Sequence, residues 1–164
     1  MFISTHLLHK NLSNKNLVII DASWYLPYEN RNTFFEYKKR HIPGTFFFDI
    51  EKISDKRSNL PHMLPSKQIF LREIRKFGIR KNSKIIIYDT KGIFSSTRLW
   101  WMFKFFGVKK VFILEGGFPK WRKEGRPISD RVSFNKKGSI NLNVNNAVLA
   151  KMDKVIKSIR YKRH

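Results

Sequence analysis

The residues best placed to do chemistry lie in one short loop, Asp89-Thr90-Lys91-Gly92-Ile93-Phe94-Ser95-Ser96. It follows a β-branched apolar run, Ile85-Ile86-Ile87-Tyr88, and precedes a strongly apolar segment, Leu99 to Phe106. That order reads as strand, tight loop and helix. The free N–H groups of a first helical turn suit an anion held in such a loop. Loops at the carboxyl ends of strands in an open α/β sheet are also where ligands bind. Cysteine is absent from the chain, which excludes disulfides, thiolate metal sites and a cysteine nucleophile. Ser95 and Ser96 could act as nucleophiles only beside a base, and they read instead as helix caps. Arg98, early in the helix, opposes the macrodipole. It therefore implies either a specific partner, such as Asp89 or Asp21, or a place on the surface.

The elements that must position this loop are legible on both sides. Leu17-Val18-Ile19-Ile20 and Val111-Phe112-Ile113-Leu114 are continuous apolar runs, as in strands buried on both faces. Thr45-Phe46-Phe47-Phe48 is a further strand, entered through the turn His41-Ile42-Pro43-Gly44, where His41 reads as a turn-positioning residue. Ser4 or Thr5 can cap a short helix, and Asn32 or Thr33 another. Ser66 caps a helix whose Ile69, Phe70, Ile74 and Phe77 share one face. Trp100 and Trp101 read as core or interface residues, because no basic stripe flanks them to make a base-stacking platform. Strands alternating with helices imply a mostly parallel sheet covered on both faces.

The chain has 164 residues, 41% of them hydrophobic and 15% aromatic, enough for one domain with a real core. From Ser129 the composition changes. Residues 129–147 are polar and Asn-rich and read as a linker or an extended arm. Leu149, Met152, Val155, Ile156 and Ile159 then give an amphipathic helix with no obvious apolar partner. With the basic end Tyr161-Lys162-Arg163-His164, residues 148–164 read as the start of a second unit. No apolar run reaches the about 18 residues of a membrane span. Met1 to Lys10 lacks a signal-peptide core, and a cytoplasmic location is expected. The net charge of +22 is spread through every segment together with Asn, Ile and Phe. It is better read as composition bias than as a recognition stripe, although it predicts non-specific attraction to nucleic acid and other polyanions.

Taken together, a series of motifs over residues 2 to 128 resembles the N-terminal domain of the two-domain sulfurtransferases, the rhodanese family. They are Asp21-Ala22-Ser23-Trp24-Tyr25-Leu26-Pro27, His41-Ile42-Pro43-Gly44, Phe47-Phe48-Asp49-Ile50 and Pro61-His62-Met63-Leu64-Pro65. Tyr88-Asp89, Phe94-Ser95, Arg98-Leu99-Trp100-Trp101-Met102-Phe103, Gly116-Gly117 and Gly125-Arg126-Pro127 complete the series. The His-Met-Leu-Pro segment makes the likeness nearer to the 3-mercaptopyruvate branch than to the thiosulfate branch.

The resemblance implies a rhodanese-like three-layer α/β domain, with a mostly parallel five-stranded sheet and helices on both faces, present twice in family members. It implies sulfur transfer from 3-mercaptopyruvate or thiosulfate to a thiol or cyanide, without cofactor or metal, through a cysteine of the second domain that becomes a persulfide. Asp89 stands where the catalytic half has that cysteine. Glu51, where the family usually has the shorter Asp, and His62 are implied to support the nucleophile, and Trp24 and Phe94 to wall the substrate cleft. Glu51 and His62 could equally be an ion pair that anchors a loop. The expected partners are a missing or separate catalytic rhodanese domain and a small sulfur-donor anion, the chain reading as truncated before the catalytic half and inactive alone. Two alternatives stand beside this one: a non-catalytic anion- or protein-binding module, and a nucleic-acid-binding protein.

Overall fold

Short β-branched and aromatic runs become strands here, and apolar residues spaced three and four apart become helices. In the computed structural model, which describes residues 1–150 and 152–161, the strands are β1 (Phe2–Ile3), β2 (Leu17–Asp21), β3 (Thr45–Phe47), β4 (Lys84–Tyr88) and β5 (Val111–Leu114). The helices are α1 (Thr5–Lys10), α2 (Thr33–Lys39), α3 (Lys67–Lys76), α4 (Ser96–Phe105), α5 (Gly117–Lys123) and α6 (Met152–Tyr161). The sheet order is β1-β5-β4-β2-β3, and every pairing is parallel. The expected five-stranded parallel sheet with helices on both faces is the observed architecture.

Side-chain alternation along β4 divides the core. Ile85 and Ile87 face one layer, with Phe70 and Ile74 of α3 and Leu99 and Phe103 of α4. Ile86 and Tyr88 face the other, with Leu8 of α1 and Phe118 and Trp121 of α5. A slip of one residue would exchange the two sets, so burial on both faces fixes the register of Ile20 opposite Ile87 and Asp21 opposite Tyr88. The caps follow the sequence. Ser4 Oγ accepts from Leu7 N, Asn32 Oδ1 from Phe35 N and Ser66 Oγ from Ile69 N, each satisfying a donor that the helix start leaves free.

Residues 129–145 carry no regular element and lie along the domain. The segment opens with a two-way backbone pairing between Ser129 and His41, both bonds 2.8 Å. Gly138 N donates to Arg75 O, Ile140 N to Ile79 O, and Asn143 N and Asn145 N to Phe106 O and Phe105 O. Ile140 and Leu142 enter the same core as α3 and α4, at 6% and 2% exposure. A Cβ on Gly138 would stand 2.1 Å from the Ile79 carbonyl oxygen, so this backbone-to-backbone contact requires glycine. Beyond it, Leu149 packs on the core, while Met152, Val155, Ile156 and Ile159 of α6 are exposed. Residues 162–164 of the expected basic end lie outside the described residues.

Candidate functional site

The strand order creates one crevice. The chain leaves β2 for β3 on one side and β4 for β5 on the other, so the loops after β2 and β4 diverge at their carboxyl ends, the usual place for a ligand in such a sheet. Ser23 ties the two loops together, its hydroxyl accepting from Thr90 N at 3.0 Å.

Asp89 closes the β4–α4 loop on itself. Its side chain is buried. Oδ1 accepts from Lys91 N at 2.9 Å, and Oδ2 accepts from Phe94 N, Ser96 N and Ser96 Oγ at 2.7, 2.9 and 2.6 Å. The carboxylate therefore fills the cradle of N–H groups at the start of α4. This corrects the reading of Ser95 as a cap, since its side chain makes no capping bond. Ser95 Oγ instead accepts from Trp24 N at 3.1 Å, holding the two loops together. The Lys91 ammonium pairs with Glu29 at 2.6 Å. The Gly116-Gly117 pair has its explanation here. Gly117 has φ +54°, and a Cβ on it would meet Asp89 O at 2.5 Å and Gly92 O at 2.7 Å, so a side chain would push the loop off α5.

Beside this loop lies a cleft of about 380 Å³ lined by Trp24, Phe94, His62, Met63, Ser95 and Arg98, among others. Three segments distant in sequence meet in it. Trp24 and Phe94 stack with centroids 6.3 Å apart, and the Trp24 and His62 rings meet edge to face at 4.8 Å. Glu51 Oε1 lies 2.7 Å from His62 Nε2 and accepts from Trp24 Nε1 at 2.8 Å. The extra methylene of Glu is thus accommodated, and one oxygen serves both rings. The hydrogen bond with His62 holds the Glu51 carboxyl below its usual range; partial burial opposes it and the Trp24 indole adds to it.

His62 is a non-glycine residue at φ +54°, a conformation that costs roughly 1 kcal/mol. Arg98 fastens it, donating from a terminal nitrogen to the His62 carbonyl at 2.9 Å. The guanidinium lies 4.7 Å from the Trp101 ring centroid, its Nε buried without a partner. Desolvation pulls its pKa below the ordinary arginine value. Of the two alternatives left by the sequence, a specific partner is the one observed, but it is neither Asp89 nor Asp21. A backbone carbonyl 36 residues away leaves no mark on composition. His41 is fully buried away from the cleft, its ring nitrogens 2.7 and 3.1 Å from the Tyr37 and Arg131 carbonyls.

Asp21, at the end of β2, is buried, and desolvation raises its pKa to about 6 in spite of the two hydrogen bonds its Oδ1 accepts from Ser23. The folded state then holds this proton more tightly than the unfolded chain. The native form carries more protons between about pH 4 and 6, so this group's contribution to stability falls as pH rises through that window. A shift of about two units corresponds to roughly 3 kcal/mol. Asp21→Asn, which keeps an oxygen for Ser23, is expected to flatten the difference in urea midpoint between pH 4 and pH 7. An unchanged pH profile would contradict this.

Among the described residues no group of three or more His, Asp or Glu is placed to hold a metal, and no helix is long and apolar enough to cross a membrane. The rhodanese-like domain model matches residues 4–124, and the chain belongs to that family. It is 45% identical over 131 residues to thiosulfate/3-mercaptopyruvate sulfurtransferase 2 of Arabidopsis thaliana, covering 80% of this chain and 38% of that protein. To the 3-mercaptopyruvate sulfurtransferase of Escherichia coli K12 it is 36% identical over 156 residues, covering 94% and 56%. A crystal structure of the E. coli 3-mercaptopyruvate sulfotransferase superposes with a TM-score of 0.92 at 34% identity, over 98% of this chain and 62% of that one. The chain thus spans between 38% and 56% of the length of these two sulfurtransferases. It is a rhodanese-family domain related to sulfurtransferases and contains no cysteine.

Proposed function

We propose that this chain is the N-terminal, non-catalytic half of a two-domain sulfurtransferase. Residues 1–128 form its rhodanese-like domain, 129–147 the connection and 148–164 the opening of the second unit. The observation that carries this is the β4–α4 loop: its anion cradle is occupied by the chain's own Asp89, at the place where a catalytic half carries a cysteine. The cleft wall of Trp24 and Phe94 and the Glu51–His62 pair then face a thiolate supplied by another rhodanese domain. With thiosulfate, that thiolate takes the outer sulfur as a persulfide and releases sulfite; with 3-mercaptopyruvate it releases the enolate of pyruvate. A thiol or cyanide then accepts the sulfur.

Alone, the chain is expected to give no thiocyanate from thiosulfate and cyanide and no pyruvate from 3-mercaptopyruvate, because the required nucleophile is missing. Turnover by the purified chain in either assay would overturn the reading.

A second reading is favoured by α6, whose Met152, Val155, Ile156 and Ile159 are exposed: a non-catalytic module that pairs with a separately encoded catalytic half. A cysteine-bearing rhodanese domain co-purifying with the full chain, but not with Val155→Asp/Ile159→Asp, supports it. Equal recovery with both rules it out.

A further inference from the structure

A second concave site lies at the same end of the sheet and shares no residue with the Trp24–Phe94 cleft. It is a pocket of about 160 Å³ between α2 and α5, lined by Arg31, Glu36, Lys39, Arg40, Thr90, Phe118, Pro119 and Arg122. Four cations thus line one small hollow against a single carboxylate, and that carboxylate is already engaged. Glu36 takes both the Nε and a terminal nitrogen of Arg31, at 2.8 and 2.6 Å, and the Tyr25 hydroxyl at 2.8 Å. Arg31 is further fixed over the Tyr25 ring at 3.7 Å. Lys39 lies over the Phe35 ring at 4.3 Å. Arg40 and Arg122 make no side-chain hydrogen bond or ion pair with any described residue.

A basic chain has many unpaired cations on its surface, but those can spread apart. Here four exposed cations share the lining of one hollow, so an anion held there meets several positive charges at once, with solvent screening their mutual repulsion. The floor is made rigid by Thr90, whose hydroxyl is 2.6 Å from Tyr25 Oη, and by Phe118, which is buried. Guanidinium groups present planar, directed donors that match tetrahedral oxyanions better than scattered ammonium groups do.

We propose that this pocket binds a tetrahedral oxyanion of the phosphate class, with Arg40 and Arg122 as its direct ligands and the Arg31–Glu36–Tyr25 group as its fixed wall. The site does not depend on sulfur transfer, and its ligand is either a free small phosphate or a phosphate of a nucleic-acid strand.

The test is a titration of the full chain with inorganic phosphate, ionic strength held constant with chloride, followed by the amide resonance of Thr90 and by thermal shift. Saturable binding is expected. Arg40→Gln/Arg122→Gln should weaken it at least tenfold. Lys109→Gln/Lys110→Gln, which removes the same charge at the amino end of β5, should change it less than twofold. If the double variant does not fold, Arg122→Gln on the exposed α5, set against Lys110→Gln alone, gives the charge-matched comparison. A short single-stranded oligonucleotide without terminal phosphates distinguishes the sources. Displacement of phosphate by it, lost in the Arg variants, assigns a nucleic-acid backbone; no displacement assigns a free oxyanion. Non-saturating binding, or equal weakening by both double variants, would overturn the site and leave only bulk charge.

Discussion

Replacing Asp89 by alanine is expected to lower the unfolding free energy by about 3–5 kcal/mol. The carboxylate satisfies three backbone N–H groups and the Ser96 hydroxyl at the buried start of α4. Hydrogen bonds to a charged acceptor contribute about 1.5–3 kcal/mol each, and a donor stranded without water costs as much again as an ordinary bond. The effects are not additive, which holds the sum to the stated range. A loss of this size shifts the melting temperature by roughly 10 °C. Asp89→Asn keeps one acceptor oxygen but turns its amide toward Lys91 N, and should fall between the two. A thiol in the same place accepts hydrogen bonds poorly, so Asp89→Cys should be unstable as well as nearly inactive. A urea midpoint corresponding to less than 1 kcal/mol for Asp89→Ala would show that the loop is held elsewhere, for example by the Asp89 carbonyl on Phe118 N.

Leu142→Ala should cost about 2–4 kcal/mol, the range of large-to-small changes in a packed core. Leu142 is 2% exposed among α3 and α4 residues, whereas Val144, two positions on, is 43% exposed. Val144→Ala should therefore stay within about 0.5 kcal/mol. Equal small losses at both positions would mean that residues 129–145 contribute no core and behave as a solvated tether.

These two sites also show what a sequence can and cannot disclose. The strand into Asp89 is legible because Ile85, Ile86 and Ile87 leave few alternatives to a strand buried on both faces. The anion-binding character of the next loop is legible because a helix follows at once. Which group fills the cradle is harder: Ser95 and Asp89 are both good acceptors, and only the turn geometry brings Asp89 Oδ2 under Phe94 N and Ser96 N. Arg98 announced itself by opposing the helix dipole, but its acceptor is the His62 carbonyl, and any residue carries a carbonyl. The packing of residues 138–145 was hidden for a different reason. Two apolar residues, Ile140 and Leu142, are too few to stand out among asparagines, and the rest of the contact is made by backbone and by the Arg75 guanidinium on the Ile140 carbonyl and Asn141 Oδ1. Trp24 and Glu51 were visible as separate motif residues; that one Glu51 oxygen serves both Trp24 and His62 depends on a loop conformation that spacing does not encode.

The packing of Gly138 to Asn145 has a consequence in time as well as in space. During synthesis at roughly 5–20 residues per second, α3, β4, α4 and β5 emerge before the residues that close their outer layer. The apolar surface around Phe70, Ile79 and Phe106 stays open until Ile140 and Leu142 arrive. The interval from Pro127 to Leu142 is then roughly 1–3 seconds. In that window the outer apolar layer of the domain lacks the two side chains that complete it.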